Sequence, residues 1–485
     1  MQFFMTSVSG LRQFRILFSA FFLIAFWASG QAQTSFVRIS VVSFNPAKVH
    51  VEIASKGASN WSFRNTHAYI VGLAERIENF QGEVGREVPL KRLAPGEFRF
   101  SEPVTSVSYD VRLTPPANLA YKSRVSWLNE DFGLLMLRDL LPEVGMGRAP
   151  LLNLNFALPP EWGIASSGDA NASAQYVVSR PESAVFLVGR PLHVDQKAVG
   201  TTKIKIVRAG DWPVSGKALT EIVRKIIEEH SLAVGHSPPA NVALLLMPFD
   251  SASGPERWSA ETTGENVVLS LGKEGSRGAV LSRLRVVLAH ELFHLWVPNA
   301  LPLEGDYDWF FEGFTLYQAM LTALRLHYIS FNDYLDTIAR VYDSYRSSAE
   351  RDKLSLIEAS ERRWTTSASL VYDKGMLVAL LFDLKVRSNS GNRTTVTGVY
   401  SGLFSEVTSN PPDANELIIS MLNRHQGMNQ FGREYIETAG QINLAQELEP
   451  YGLDVETTGS ITEVKVRKTI NSEQRQLLKA LGYKK

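Results

Sequence analysis

The chain has 485 residues, 45% of them hydrophobic and 21% charged, which is ordinary for a globular protein of two or three domains. Lys+Arg and Asp+Glu number 50 each, so no global field argues for nucleic acid or an anionic membrane as partner. There is no cysteine, which excludes disulfides, thiolate metal sites and a cysteine nucleophile.

The first segment reads as a signal peptide over 1–32. Arg12 and Arg15 precede an apolar run at 16–28, and the small residues Gly30 and Ala32 follow with the spacing of an export cleavage site. The run is short for a membrane span, and no later stretch has 18 consecutive apolar residues. The expectation is an exported protein, periplasmic or secreted, with no stable membrane span once the segment is removed.

Residues 33–165 read as a β-rich domain, a sandwich. Runs at 36–42, 49–53 and 104–113 are rich in β-branched residues or alternate with period two, and turn signals at 94–96 and 115–116 break them. From 166 the character mixes. Strand-like pieces at 183–188, 203–207, 242–247 and 267–271 enclose a helical stripe of Leu219, Ile222, Val223, Ile226 and Ile227. Residues 280–297 predict a strongly apolar helix ended by Pro298. From Asp308 to about Leu448 nearly everything reads helical. The order of strands, mixed segment and helices predicts an α+β fold. The boundaries fall at 165/166, 395/396 and 458/459. The last 27 or so residues form a basic tail, with a strand-like piece and then a solvated charged helix capped by Asn471.

Within the apolar helix, His290-Glu291-Leu292-Phe293-His294 fits H-E-x-x-H. Positions four apart share a helix face, so both imidazoles can point at one ion. Glu291 lies about 100° around the axis, too far to ligate with them and well placed beside a metal-bound water. Zinc needs a third protein ligand and an open position. Glu312 follows His294 by 18 positions, on the next helix, among Trp309, Phe310, Phe311 and Phe314. A carboxylate in such company needs a partner, and a metal is a sufficient one. Tyr372 stands at the start of a further apolar helix, where its hydroxyl can donate to the oxyanion formed when hydroxide attacks a carbonyl.

The pieces AHELFHLW, WFFEGFT and YDKGMLVALLFDLKVR resemble the gluzincin metallopeptidases, most closely the glycyl aminopeptidase family and more distantly the alanyl aminopeptidases. The block 372–387, with Asp383, Leu384 and Arg387, carries the most specific likeness. The resemblance implies a β domain, a thermolysin-like zinc peptidase domain over 166–395 and a helical domain over 396–458. It implies His290, His294 and Glu312 as ligands of one zinc ion, Glu291 as general base toward a zinc-bound water, and Tyr372 as oxyanion stabiliser. The spacing from His294 to Glu312 is one residue shorter than in the alanyl aminopeptidases. Members of the glycyl family often carry a PDZ domain after the helical part, and none is expected here.

Aminopeptidases hold the substrate's free amine with a Glu upstream of the zinc helix, in a G-x-M-E-N or G-G-x-E-H type motif. The candidates are Glu256, in Ser253-Gly254-Pro255-Glu256-Arg257, and Glu265, in Gly264-Glu265-Asn266; neither matches cleanly. His50, His67, His193, His230, His236, His327 and His425 show no ligand spacing and read as structural or surface groups. No P-loop, G-x-S-x-G elbow or dinucleotide fingerprint is present. The expected function is a zinc peptidase acting on peptides, first an aminopeptidase, second an endopeptidase. A peptidase-fold binding protein without activity is the alternative from another class.

Overall fold

The computed structural model describes residues 35–146, 151–249, 252–407 and 411–484. The expected signal peptide lies outside the described residues.

The alternating pattern of the first runs folds as read. β1 (Ser35–Phe44) and β2 (Ala47–Ser62) pair antiparallel, with Val37, Ile39, Val49, Val51 and Ile53 buried on one face. After a short hairpin, β3 (Thr66–His67) and β4 (Ile70–Val71), come β5 (Ile77–Glu83), β6 (Leu90–Ala94) and β7 (Glu97–Arg112). β8 (Trp127–Leu128), β9 (Phe132–Met136), β10 (Leu152–Ala157), β11 (Gly163–Ala165), β12 (Tyr176–Val178) and β13 (Val185–Gly189) complete this part. One sheet runs β12-β10-β1-β2-β7-β5, with β6 on β7; a second runs β11-β13-β9-β8.

The second sheet is buried on both faces, and the two-residue period decides which side chain goes where. Leu135, Phe186 and Val188 pack into the core under the first sheet, beside Trp61, Phe80 and Tyr109. Leu134, Met136, Val185 and Leu187 face the other way, onto Val207, Leu245 and Val268 of a third sheet. β12 and β13, which follow residue 165, pair with β10 and β9, so the change of sheet falls at 190–191 and not at 165/166.

The third sheet has the order β14-β15-β16-β18-β17. β14 (Leu192–Val199) and β17 (Trp258–Thr263) are antiparallel edges on the parallel core of β15 (Thr202–Ala209), β16 (Asn241–Pro248) and β18 (Asn266–Leu271). Its far face takes α1 (Gly216–Val234) and α2 (Arg277–Glu291), through Leu219, Val223 and Ile226 and through Leu284 and Leu288.

The remainder is mainly helical, as its periodicity predicts: α3 (Thr315–Arg325), α4 (Phe331–Ser347), α5 (Leu356–Glu361), α6 (Ala368–Ser390), α7 (Thr397–Glu406), α8 (Ala414–Asn423), α9 (Phe431–Tyr435) and α10 (Leu444–Leu448). A hairpin of β19 (Leu453–Thr458) and β20 (Ile461–Val466) then crosses the expected 458/459 boundary. Asn471 caps α11 (Ser472–Ala480) in a reciprocal box with Gln474. That helix is not solvated all round: Leu477, Leu478 and Leu481 are buried against the main core, because its apolar residues fall on one face. Among the described residues, no helix is long and apolar enough to cross a membrane.

Candidate metal centre and active site

The side chain of Ser276 accepts from the Ala279 amide and starts α2. The predicted helix over 280–297 is one element only in outline. The α-helix ends at Glu291, and Leu292–Leu295 wind as a 3₁₀ turn. His290 therefore sits on the last α turn and His294 on the tighter one. Their Nε2 atoms still converge, 3.1 Å apart. His294 Nδ1 lies 2.9 Å from the Val297 carbonyl, which accepts its N–H and leaves Nε2 as the lone-pair nitrogen.

Glu312 comes from a π turn, Trp309–Phe314, that leads into α3. Its Oε2 lies 3.3 Å from His290 Nε2 and 3.5 Å from His294 Nε2. Glu312 Oε2 is buried and accepts no hydrogen bond. Three ligands about 2.0–2.1 Å from a tetrahedral zinc stand roughly 3.3 Å from one another. The two imidazole nitrogens and one carboxylate oxygen have that separation and that chemistry, so the residues fit a zinc site with one position open. Among the described residues this is the one His/Asp/Glu cluster of that geometry. Burial works against the charge of Glu312, but His294 beside it holds the carboxyl well below its usual range.

Glu291 is buried, and Thr262 of the edge strand β17 reaches it: Thr262 Oγ1 is 2.8 Å from Glu291 Oε2 and 2.9 Å from the Glu291 carbonyl oxygen. Tyr372 lies within the first turns of α6, which begins at Ala368. Burial, and then the charge of Glu312, push its phenol well above the ordinary range, so the hydroxyl keeps its proton. Glu312 and Tyr372 meet because their backbones do. A Cβ on Gly375 would stand 2.5 Å from the Trp309 carbonyl oxygen, and one on Gly313 would stand 2.5 Å from Gly375 Cα. Only glycine permits that crossing.

Two functional candidates escaped the sequence reading. Arg363 donates from Nη2 to Glu312 Oε1 at 2.5 Å and to Tyr372 Oη at 2.7 Å, and from Nη1 to Asp308. It lies far from the motif in sequence, so spacing offers no signal. Glu261 stands on β17, immediately before Thr262. Arg138 Nη2 donates to its Oε1 at 2.5 Å, His67 Nε2 lies 3.3 Å away and Arg124 Nε 3.9 Å. Burial opposes its charge, but Arg138 and His67 keep the carboxyl below its usual range. The local string Trp-Ser-Ala-Glu-Thr has no glycine to mark it.

The structure does not bring Glu256 or Glu265 to the cluster. Glu256 is exposed on a turn, with its carboxylate folded back over Gly254. Glu265 is on the β17–β18 turn, where burial raises its carboxyl and its partners are Arg180 and Ser167. His67, read as structural, belongs to the Glu261 group. His230 is structural in a specific way: its Nε2 lies 2.8 Å from the carbonyl of Ala289, one residue before His290.

Residues 283–378 match the model of the M61 glycyl aminopeptidase family, a segment that contains His290, Glu291, His294, Glu312 and Tyr372. No curated protein matches the chain. Among solved structures, an aminopeptidase N family protein from Idiomarina loihiensis is similar with a TM-score of 0.77 at 18% identity, over 88% of this chain and 79% of that one. An M1 zinc metallopeptidase from Deinococcus radiodurans is similar with a TM-score of 0.52 at 17% identity, over 85% and 95%. Its E323A mutant bound to a Tyr-Ser-Ala substrate has a TM-score of 0.52 at 15% identity, again over 85% and 95%. At these identities the likeness shows the α+β fold.

Proposed function

We propose, from the M61 glycyl aminopeptidase domain that this chain carries at residues 283–378, that it is an exported aminopeptidase holding one zinc ion, with Glu291 as its general base. The chain is a zinc hydrolase of the peptidase type. The observation that carries the mechanism is the buried Glu291, held by Thr262 beside three converging ligand atoms.

His290, His294 and Glu312 would hold the metal. When bound, zinc supplies a Lewis acid that acidifies a water and polarises the scissile carbonyl. Glu291 takes the proton of the attacking water on a carboxylate oxygen and returns it to the leaving amine. Tyr372 donates its O–H to the carbonyl oxygen as charge develops there. Thr262 orients Glu291 for both transfers. Glu261, one residue before Thr262 on the edge strand, is our choice for the group that meets the substrate's amino terminus, in place of Glu256 and Glu265.

A second reading, an endopeptidase of the same mechanism, draws on one observation. Arg138 already balances the Glu261 carboxylate, so a free amine is not the only way to satisfy it. Cleavage of a peptide pool, half of it N-terminally acetylated, with and without a zinc chelator, separates the two. Chelator-sensitive trimming of free N-termini alone is the expected result. Internal cuts in blocked peptides would make the protein an endopeptidase, and no cleavage by zinc-loaded protein would make it a binding protein. Export is supported by Arg12, Arg15 and the apolar run at 16–28. A mature N-terminus near Gln33 in protein recovered outside the cytoplasm is the expected observation.

A further inference from the structure

Arg363 opens the π turn Arg363–Ser367 that precedes α6, and it is 7% exposed. One guanidinium meets three acceptors: Asp308, Glu312 Oε1 and Tyr372 Oη. Its carbon sits 4.4 Å from the centre of the Trp364 ring, 5.4 Å from that of Tyr372 and 5.5 Å from that of Phe311. Its own carbonyl accepts the hydroxyl of Tyr69, from the loop between β3 and β4. The planar fork is thus fixed by its acceptors, by aromatic faces and by a contact from the first β-rich segment.

This placement constrains both Glu312 and Tyr372. A carboxylate has two equivalent oxygens. With Oε1 occupied by Arg363, only Oε2 is left toward the histidine pair, and the plane of the group is set. The phenol oxygen of Tyr372 accepts from the same Nη2, so its own hydrogen must point away from Arg363. Asp308 supplies the second negative charge that keeps a buried cation here.

We infer that Arg363 is a positioning residue of this centre, fixing which oxygen of Glu312 faces His290 and His294 and where the Tyr372 hydroxyl stands. It acts through these two groups and touches no reacting atom. The inference rests on the zinc peptidase reading above, and the test separates the two.

Zinc affinity of the full-length protein is measured by competition with a chromogenic chelator, alongside kcat and KM for a free-amine peptide. Arg363→Lys keeps the charge beside Asp308 and Glu312, so the fold should survive, but an ammonium cannot span three acceptors in the guanidinium geometry. The expected result is a 10- to 100-fold loss of zinc affinity. In the zinc-saturated variant, kcat falls at least about tenfold while KM stays within about twofold, because the bound ground state does not use Arg363. Partial recovery of Arg363→Ala by millimolar guanidinium, and not by equal sodium chloride, would support a positioning role over a purely structural one. If Arg363→Lys does not fold, the double variant Asp308→Asn with Arg363→Gln removes the cation together with one carboxylate, and the same losses are expected of it. A folded variant with wild-type zinc affinity and kcat overturns the inference while wild-type zinc binding leaves the reading of the site intact. A wild-type protein that takes up no zinc overturns both.

Discussion

Thr262 Oγ1 stands within hydrogen-bond reach of both the Oε2 and the carbonyl oxygen of Glu291, at 2.8 and 2.9 Å. The outermost strand of the third sheet therefore holds the base. Thr262→Val keeps the β-branched shape and loses the hydroxyl. It should lower kcat about tenfold at unchanged zinc content, because the carboxylate is free to rotate. Glu291→Gln should lower kcat by about 10²–10⁴ and also leave zinc bound. Steady-state kinetics with metal analysis of the same samples checks both; turnover equal to wild type in Glu291→Gln would sink the mechanism.

Tyr372→Phe removes the oxyanion donor and nothing that faces the metal directly. Its kcat should fall by about 10²–10³. Loss of zinc in place of that fall would show that the phenol serves the ligands and not the transition state.

Gly375→Ala tests the helix crossing. Its Cβ would press on the Trp309 carbonyl, and a backbone neighbour cannot swing aside as a flexible side chain can. A loss of about 1–3 kcal/mol in unfolding free energy is expected, with lower activity as Glu312 and Tyr372 are forced apart. Gly398→Ala in α7 is the control, since a Cβ there meets nothing within 4 Å. It should be neutral or slightly stabilising, as alanine suits a helix better than glycine. Chemical denaturation of both variants decides between site-specific crowding and a general intolerance of added methyl groups.

Acid should destabilise the protein through His230. Burial drives this imidazole down to about 3 from its ordinary value of 6.5. The unfolded chain takes up a proton near 6.5 and the folded one not until about 3, so stability falls as pH drops through that window. The slope approaches about 1.4 kcal/mol per pH unit. Asp373, whose carboxyl burial pushes up to about 6, has the opposite sign between its two values. The difference between wild type and His230→Gln, both metal-free, isolates the histidine. Denaturation curves from pH 7 to pH 4 should converge for the two proteins as pH falls; parallel curves would reject a neutral buried His230.

What could be read from the sequence followed from locality. His290, Glu291 and His294 lie within one turn and a half, and Glu312 announces itself by its apolar neighbours, so a short stretch of chain states most of that chemistry. The switch from α to 3₁₀ winding at Leu292 was not legible, since the apolar pattern continues unbroken across it. Arg363 and Glu261 were not legible for a different reason. Their roles depend on partners 51 and 123 positions away, Glu312 and Arg138, which only the tertiary fold brings near. Glu256 and Glu265 are marked by nearby glycines, whereas Glu261, which has no such mark, is the carboxylate next to Thr262 on the edge strand. In the tail, counting charges hid the Leu477, Leu478 and Leu481 stripe.

The small sheet with two apolar faces makes positions 35–189 more than an appendage to the catalytic half. Leu134, Met136, Val185 and Leu187 are the lining of the third sheet as much as Leu135, Phe186 and Val188 are the lining of the first. A chain shortened to begin at β14 would present Val207, Leu245 and Val268 to water, on the face of the third sheet away from α1 and α2. The β-rich part and the catalytic sheet share one wall, so neither can be shed, swapped or grafted without rebuilding it.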